Sequence, residues 1–302
     1  MGYLFLAIAL FSGCVKAYCG KKSSGYVTRN KDAILINSVR MMFCIAISFG
    51  ILAVQGQIGL LAVDATSLGI GLLSGVSTAV FVASWLISIT SGAMVLMDVF
   101  LMIGVVVTLL CSYFLFREPI RWTQWIGLGL LFLAVAIMCS YNNSIKKKIT
   151  VGSLLLMVVC GVCSGIADFS QKLFVKMVPG GSATVFNFYT FLFSAATLLV
   201  LYGCFAVHDK KAQVVVEHSP GWILKKILPY VFAMAVALFA NTFFKTLAAG
   251  YLNAAEMYPL NQGCALILSG IMASVIFKEK LTVKGIVGLC LAFVSLLVIN
   301  VL

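Results

Sequence analysis

Phe116-Arg117-Glu118-Pro119 and Phe277-Lys278-Glu279-Lys280 are short polar hairpins set between long apolar runs. The first is followed by Gly127, Leu128, Leu130 and Phe132, the second by Gly288, Leu289, Leu291 and Phe293. The Phe, the Glu, the Gly, both Leu and the later Phe of the two stretches all keep one spacing of 161 residues. Apolar helices match by chance easily. An acidic residue at the mouth of a tight hairpin, with aligned glycines behind it, is a stronger sign of an internal repeat. Ser12-Gly13 before Lys21-Lys22 likewise mirrors Ser164-Gly165 before Lys172.

Working outward from the hairpins, the apolar runs fall at about 2–19, 33–54, 67–88, 92–115, 121–140, 151–173, 183–205, 228–249, 254–277 and 283–301. Each is near the roughly 20 residues that a helix needs to cross a bilayer. They are continuous and too long for the alternating segments of a barrel. The 302 residues are 62% hydrophobic and 10% charged, with a mean hydropathy of +1.11. That excludes an ordinary soluble enzyme and a disordered chain, and leaves no length for a separate soluble domain. The fold expected is an all-α polytopic membrane protein of ten transmembrane helices. Five spans is an odd number, so the two five-span halves point in opposite directions. This is the inverted-topology repeat of many secondary transporters, whose substrate site lies at the repeat interface. The expected units are 1–141 and 151–302, joined by a basic linker at 142–150.

With these hairpins and repeats, the chain resembles the drug/metabolite transporter superfamily, EamA type. The carriers of the resemblance are Phe116 to Pro119, Phe277 to Lys280, and the glycine-containing fifth helix after each. The resemblance implies ten spans built from two five-helix units and transport of a small molecule. Each half is also similar to the small multidrug resistance proteins. Their acidic residue in the first helix would fall near Ser12 or Gly13, where this chain has none. Proton coupling through that position is therefore not implied.

The net charge of +12 is carried mostly by short loop clusters, with no basic face interleaved with aromatics. It reads as the positive-inside bias of a membrane protein and not as a nucleic-acid surface. Fourteen Lys and Arg fall in odd-numbered loops against five in even loops and their flanks. That bias puts both termini outside, whereas the resemblance implies termini in the cytoplasm; both orientations stay open. The expected location is the cell membrane, specifically a bacterial inner membrane. The ten cysteines lie nearly all inside apolar runs, where cysteine acts as a small hydrophobe.

Ionisable groups inside a span are costly unless paired or hydrated, so each is a functional candidate. These are Arg40, Asp98, Asp168, Lys245 and Glu256. Arg40 and Asp98 fall about 9–11 Å into spans two and four from one membrane side. Asp168 and Lys245 fall about 6–8 Å, and Glu256 about 3 Å, from the other. The expectation is two ion-pair clusters, Arg40–Asp98 and Asp168–Lys245–Glu256, gating the mouths of a central path. The alternatives are snorkelling to headgroups and a local Asp168–Lys172 pair.

Asn37, Asn187, Tyr189, Asn241, Asn261 and Gln262 add polar groups, and Trp85 and Tyr258 aromatic walls, to the expected substrate path. Pro259 frees backbone carbonyls, which are tolerable only against protein or a cavity. Glu118 and Glu279 are expected to cap or bond their hairpins, with Gly127 and Gly288 as packing positions behind them. Gly161–Gly165 and Gly71–Gly75 read as close helix contacts.

The leading function is therefore a secondary transporter of a small organic metabolite or drug working by alternating access. A lipid-linked substrate flippase and a non-transporting scaffold are the alternatives. An intramembrane enzyme is disfavoured, because His208 and His218 both lie in a loop and no HExxH pattern occurs. No Walker motif occurs, so ATP is not the expected energy source. No cofactor and no metal is expected. The partners implied are the bilayer, a small substrate and a coupling proton or exchanged metabolite, and a monomer suffices because one chain holds both repeats.

Overall fold

In the computed structural model the described residues are 1–27, 29–91, 94–139, 151–211, 220–278 and 283–301. They form ten helices: α1 (Gly2–Ser24), α2 (Asn30–Val54), α3 (Ala65–Ser91), α4 (Met94–Phe116), α5 (Trp122–Cys139), α6 (Val151–Met177), α7 (Ala183–Lys211), α8 (Pro220–Ala249), α9 (Ala254–Val275) and α10 (Val283–Val301). All ten expected spans are helices.

Their ends differ from the expected ones in a consistent way. α1, α6 and α7 run past their apolar stretches, and α8 begins at Pro220, before its stretch. Lysines at the ends of helices do not interrupt them. Lys21 and Lys22 occupy the last turn of α1, and Lys176 that of α6. A cation there faces the negative end of the helix dipole and is stabilising.

Helix starts follow side-chain chemistry. Before α3, Asp64 accepts hydrogen bonds from the N–H of Thr66 at 3.2 Å, the N–H of Ser67 at 3.3 Å and the hydroxyl of Ser67 at 2.6 Å. These satisfy backbone donors that the first turn leaves open. The Ser67 hydroxyl leads in holding the Asp64 carboxyl below its usual pKa. At α2, Asp32 accepts from the Arg29 N–H at 3.0 Å and pairs with its guanidinium at 2.8 Å.

Among the described residues, six helices (α1, α2, α3, α6, α7 and α8) are long and apolar enough to cross a membrane. α4, α5 and α10 carry shorter apolar stretches, Phe100–Phe116, Trp122–Ala134 and Ile286–Ile299. α9 opens with Glu256, Pro259, Asn261 and Gln262. Its reduced hydropathy has a local cause, because part of it faces the cavity described below. Large apolar side chains such as Phe114, Trp122, Leu155 and Val200 stand exposed on the outside of the bundle. This surface suits lipid, not water.

Packing follows the repeat. α1 packs on α8, and its counterpart α6 packs on α3. α2 packs on α7, α4 on α9 and α5 on α10, so each of these pairs joins two equivalent helices. The halves are thus interleaved. Both hairpins bear the repeat in their backbone: Arg117 and Lys278 adopt left-handed conformations with φ of 51° and 52°. The same uncommon geometry for a non-glycine residue thus recurs at two positions 161 residues apart.

Small residues set the closest crossings. At the α4–α6 crossing, a methyl group on Gly161 would fall on the Phe100 carbonyl, and one on Gly165 would lie 2.5 Å from the Gly104 carbonyl oxygen. Thr108 Oγ1 donates to the Gly165 carbonyl at 2.9 Å, tying the two backbones together. Gly75 is pressed in the same way on Phe193 and Thr190 of α7. Both small-residue patterns are therefore packing contacts. Gly127 in α5 faces Ser295 and Ile299 of α10, and Gly288 is buried in α10.

Candidate functional site

A cavity of about 110 Å³ lies between the halves, walled by α1, α3, α4, α6, α8 and α9. Six of the residues singled out from sequence line it: Trp85, Asp168, Asn241, Lys245, Asn261 and Gln262. Asp168 and Lys245 form an ion pair with Lys245 Nζ 2.6 Å from Asp168 Oδ1, their side chains 19% and 10% exposed. Asn241, one turn before Lys245, donates its Nδ2 to the Ala9 carbonyl at 2.7 Å and so ties α8 to α1. The carbonyl of Asp168 accepts the Tyr258 hydroxyl at 2.8 Å. Tyr258 is thus a buried support behind the ion pair and not an apolar wall of the path.

Sequence reasoning did not assign several polar cavity residues to the path. Lys16 lies inside α1 and its Nζ stands 5.8 Å from the centre of the Phe81 ring, in cation–π range. It is an ionisable residue within a span, so the rule that selected the other five selects it too. Gln171 and Ser164 also line the cavity. Gln171 lies one turn beyond Asp168, Ser164 one turn before it. Two amide oxygens at the cavity, Gln171 Oε1 and Asn261 Oδ1, are buried with no hydrogen-bond partner among the described residues. Buried acceptors are ordinarily satisfied, so these two are exceptions beside the cavity.

Other expected path residues lie elsewhere. Arg40 does not line the cavity. It is 1% exposed, and its Nε and Nη2 have no hydrogen-bond partner among the described residues. It is also deeper than its sequence suggested, because α2 begins at Asn30: ten residues along a helix is about 15 Å. The side chain of Asp98 lies outside the described residues, and so does Glu279. Asn37 is buried against α3, donating Nδ2 to the Val82 carbonyl at 3.1 Å. Asn187 is fully buried in α7 away from the cavity wall. Tyr189 donates its hydroxyl to the Leu61 carbonyl at 2.5 Å, at the edge of the bundle. Asn37 and Tyr189 are thus spent on backbone carbonyls of neighbouring elements, because helix faces that look polar in sequence also serve neighbours in the bundle.

A second polar cluster closes one end of α6. Glu118, in the first hairpin, reaches Lys172 Nζ at 3.2 Å and Lys176 Nζ at 3.4 Å with Oε1. Its Oε2 accepts the N–H of Ala254, the first residue of α9, at 3.0 Å. Lys172 Nζ donates to the carbonyls of Ala249 and Leu252 at the end of α8, at 3.2 and 2.7 Å. Glu118 therefore caps a distant helix and does not bond its own turn. Lys172 pairs with Glu118 and not with Asp168, which removes the local Asp168–Lys172 alternative. Glu256 is half-buried in the first turn of α9, within electrostatic reach of Lys172. It does not line the cavity.

Burial pushes the Glu118 carboxyl up, but the Ala254 N–H and the Lys172 and Lys176 charges outweigh it and hold its pKa below the usual glutamate value. A pKa lower in the folded state stabilises the fold above the unfolded value, and this contribution is lost as pH falls through the folded one. The thermal stability of detergent-solubilised protein is therefore expected to fall on acidification through the carboxylate range. Glu118→Gln should flatten that fall; an identical pH profile for the variant would contradict the assignment.

Ten helices in an inverted five-plus-five arrangement, enclosing a polar cavity between the halves, define a membrane transport protein. The EamA-like transporter family model matches residues 1–140 and 151–301. The chain belongs to this family, a family of transporters and not of enzymes. No curated protein sequence matches the chain. A protein known by its crystal structure is similar over 99% of this chain and 96% of its own length, with a TM-score of 0.73 and 12% identity. A likeness at that identity speaks for the fold alone.

Proposed function

We propose that the protein is a secondary transporter that carries a small organic metabolite across the membrane by alternating access. The observation that carries this reading is the Asp168–Lys245 pair, held in a cavity between inverted halves. A buried pair whose members face a cavity is poised to exchange protein partners for substrate groups. The cavity of about 110 Å³ is small beside the roughly 300–1,000 Å³ of drug-sized pockets. That favours a compact metabolite over a large drug. Lys16, Lys245 and Asp168, with the amides of Asn261 and Gln171, suit a substrate bearing a carboxylate and an ammonium or hydroxyl donor. The units assigned are residues 1–141 and 151–302 about the linker 142–150. The working form is a monomer in a bacterial inner membrane, driven by a proton or by an exchanged metabolite.

A thermal-shift screen of purified protein tests this with amino acids, simple carboxylates, amines and sugars. A ligand stabilises the state it binds by RT ln(1 + [L]/Kd), about 2.7 kcal/mol at a hundredfold excess over Kd. Compact molecules carrying both charges are expected to raise the melting temperature, and Lys245→Met to abolish the rise. A response confined to lipid-linked compounds would replace this reading with a flippase. Repeating the measurement at two pH values reports a coupling proton.

A further inference from the structure

The two halves correspond residue by residue. The hairpins fix a spacing of 161 between α4–α5 and α9–α10, and Ser12-Gly13 with Ser164-Gly165 fixes one of 152 between α1 and α6. Under these spacings the α4–α6 crossing has a counterpart between α9 and α1. Gly104 corresponds to Ala265, Thr108 to Ser269 and Gly165 to Gly13.

The two seams are built differently. Between α4 and α6 the backbones touch at Gly104 and Gly165, and the Thr108 hydroxyl bridges them. At the equivalent position of α1 and α9, around Gly13, they do not, although the two helices meet elsewhere along their length. A methyl group on Gly13 would meet only Asn241 Nδ2, at 3.4 Å. Ser269 Oγ is turned back onto the Leu266 carbonyl of its own helix, at 3.0 Å. Gly13, Ala265 and Ser269 instead line the cavity. Residues small enough for close backbone approach are thus in contact at one seam and separated by the cavity at the other.

We infer that the α1–α9 seam is the alternative closure of this transporter. In the second state Gly13 meets Ala265 and Ser269 Oγ donates to the Gly13 carbonyl, while α4 and α6 part and Thr108 releases the Gly165 carbonyl. The inference rests on the alternating-access reading above. It assigns that reading a specific pair of hydrogen bonds, one made now and the other made in exchange. Exchange between inverted repeats is what makes the two states mirror one another. The seam hydroxyls set their balance, since each bonds across a seam in only one state.

The test is double electron–electron resonance on the full-length protein in nanodiscs, without substrate, in a background lacking other cysteines. One sample carries spin labels at Phe11→Cys and Ile271→Cys on α1 and α9. The other carries them at the repeat-equivalent Cys163 and Leu110→Cys on α6 and α4. Two separations are expected in each sample. One hydrogen bond is worth about 1 kcal/mol, or about a fivefold change in population. Ser269→Ala should therefore deplete the short α1–α9 separation about fivefold, and Thr108→Ala should enrich it by about as much. Gly13→Leu, which fills the present cavity and blocks the seam, should leave only the long α1–α9 separation. Alanine variants that shift the populations in the same direction, or not at all, would overturn the inference. A protein that exchanges these distances but carries no substrate would keep the seam exchange and remove the transport reading.

Discussion

Lys245→Met is expected to lower the stability of the folded protein by about 3 kcal/mol, and Asp168→Asn to do much the same. Each single change leaves a mostly buried charge without its partner, and breaking a buried pair from one side typically costs about 3–5 kcal/mol. The lower end applies because both groups face a cavity, where some hydration remains. The double variant Asp168→Asn/Lys245→Met leaves no stranded charge, so most of the stability should return. Ligand-induced thermal shift and transport should not return with it. That divergence separates a pair kept for substrate from a pair kept for structure. A double variant that recovered both stability and ligand response would assign the pair to the fold alone. A double variant no more stable than the singles would show that the two are not coupled.

Glu118→Ala should be similarly damaging, at about 3–5 kcal/mol, although Glu118 does not line the cavity. It removes the counter-charge of Lys172, whose side chain is 3% exposed, and the acceptor for the Ala254 N–H. Glu118→Gln keeps that acceptor and should cost clearly less. Lys176→Ala, with a side chain 45% exposed, should cost under about 1 kcal/mol, because solvent screens an exposed pair. Chemical denaturation in detergent followed by tryptophan fluorescence would measure all three. If Glu118→Ala matched the wild type, the clasp would be incidental.

Helix number, the duplicated hairpins and the ion pair at the centre were legible in the sequence, because each is written in local signals. Apolar run length marks the spans. The 161-residue spacing marks the repeat. The cost of charge in a membrane picks out Asp168 and Lys245. The partner of Glu118 was not legible, because Lys172 and Ala254 lie 54 and 136 residues away in the chain and only tertiary packing brings them together. For the same reason Asn37 and Tyr189, which bond backbone carbonyls of other elements, could not be told apart in sequence from cavity residues such as Asn261. A polar helix face says that something polar is met, not whether it is a cavity, a backbone carbonyl or a neighbouring helix. Lys16 was different. It sits in the body of α1 and was open to the same argument as Lys245.

The interleaving of the halves bears on how the chain is made. The major contacts of α1 to α5 are with α6 to α10, and contacts within the first half are sparse. When the first five helices leave the translocation machinery, the faces that later bury Leu6 and Ser12 still lack their partners. Biogenesis is therefore a waiting problem: the first half must remain inserted and unaggregated until the second is synthesised and threads its helices between those already present. The small residues of α6, which admit α4 backbone to backbone, are where that late arrival is accommodated.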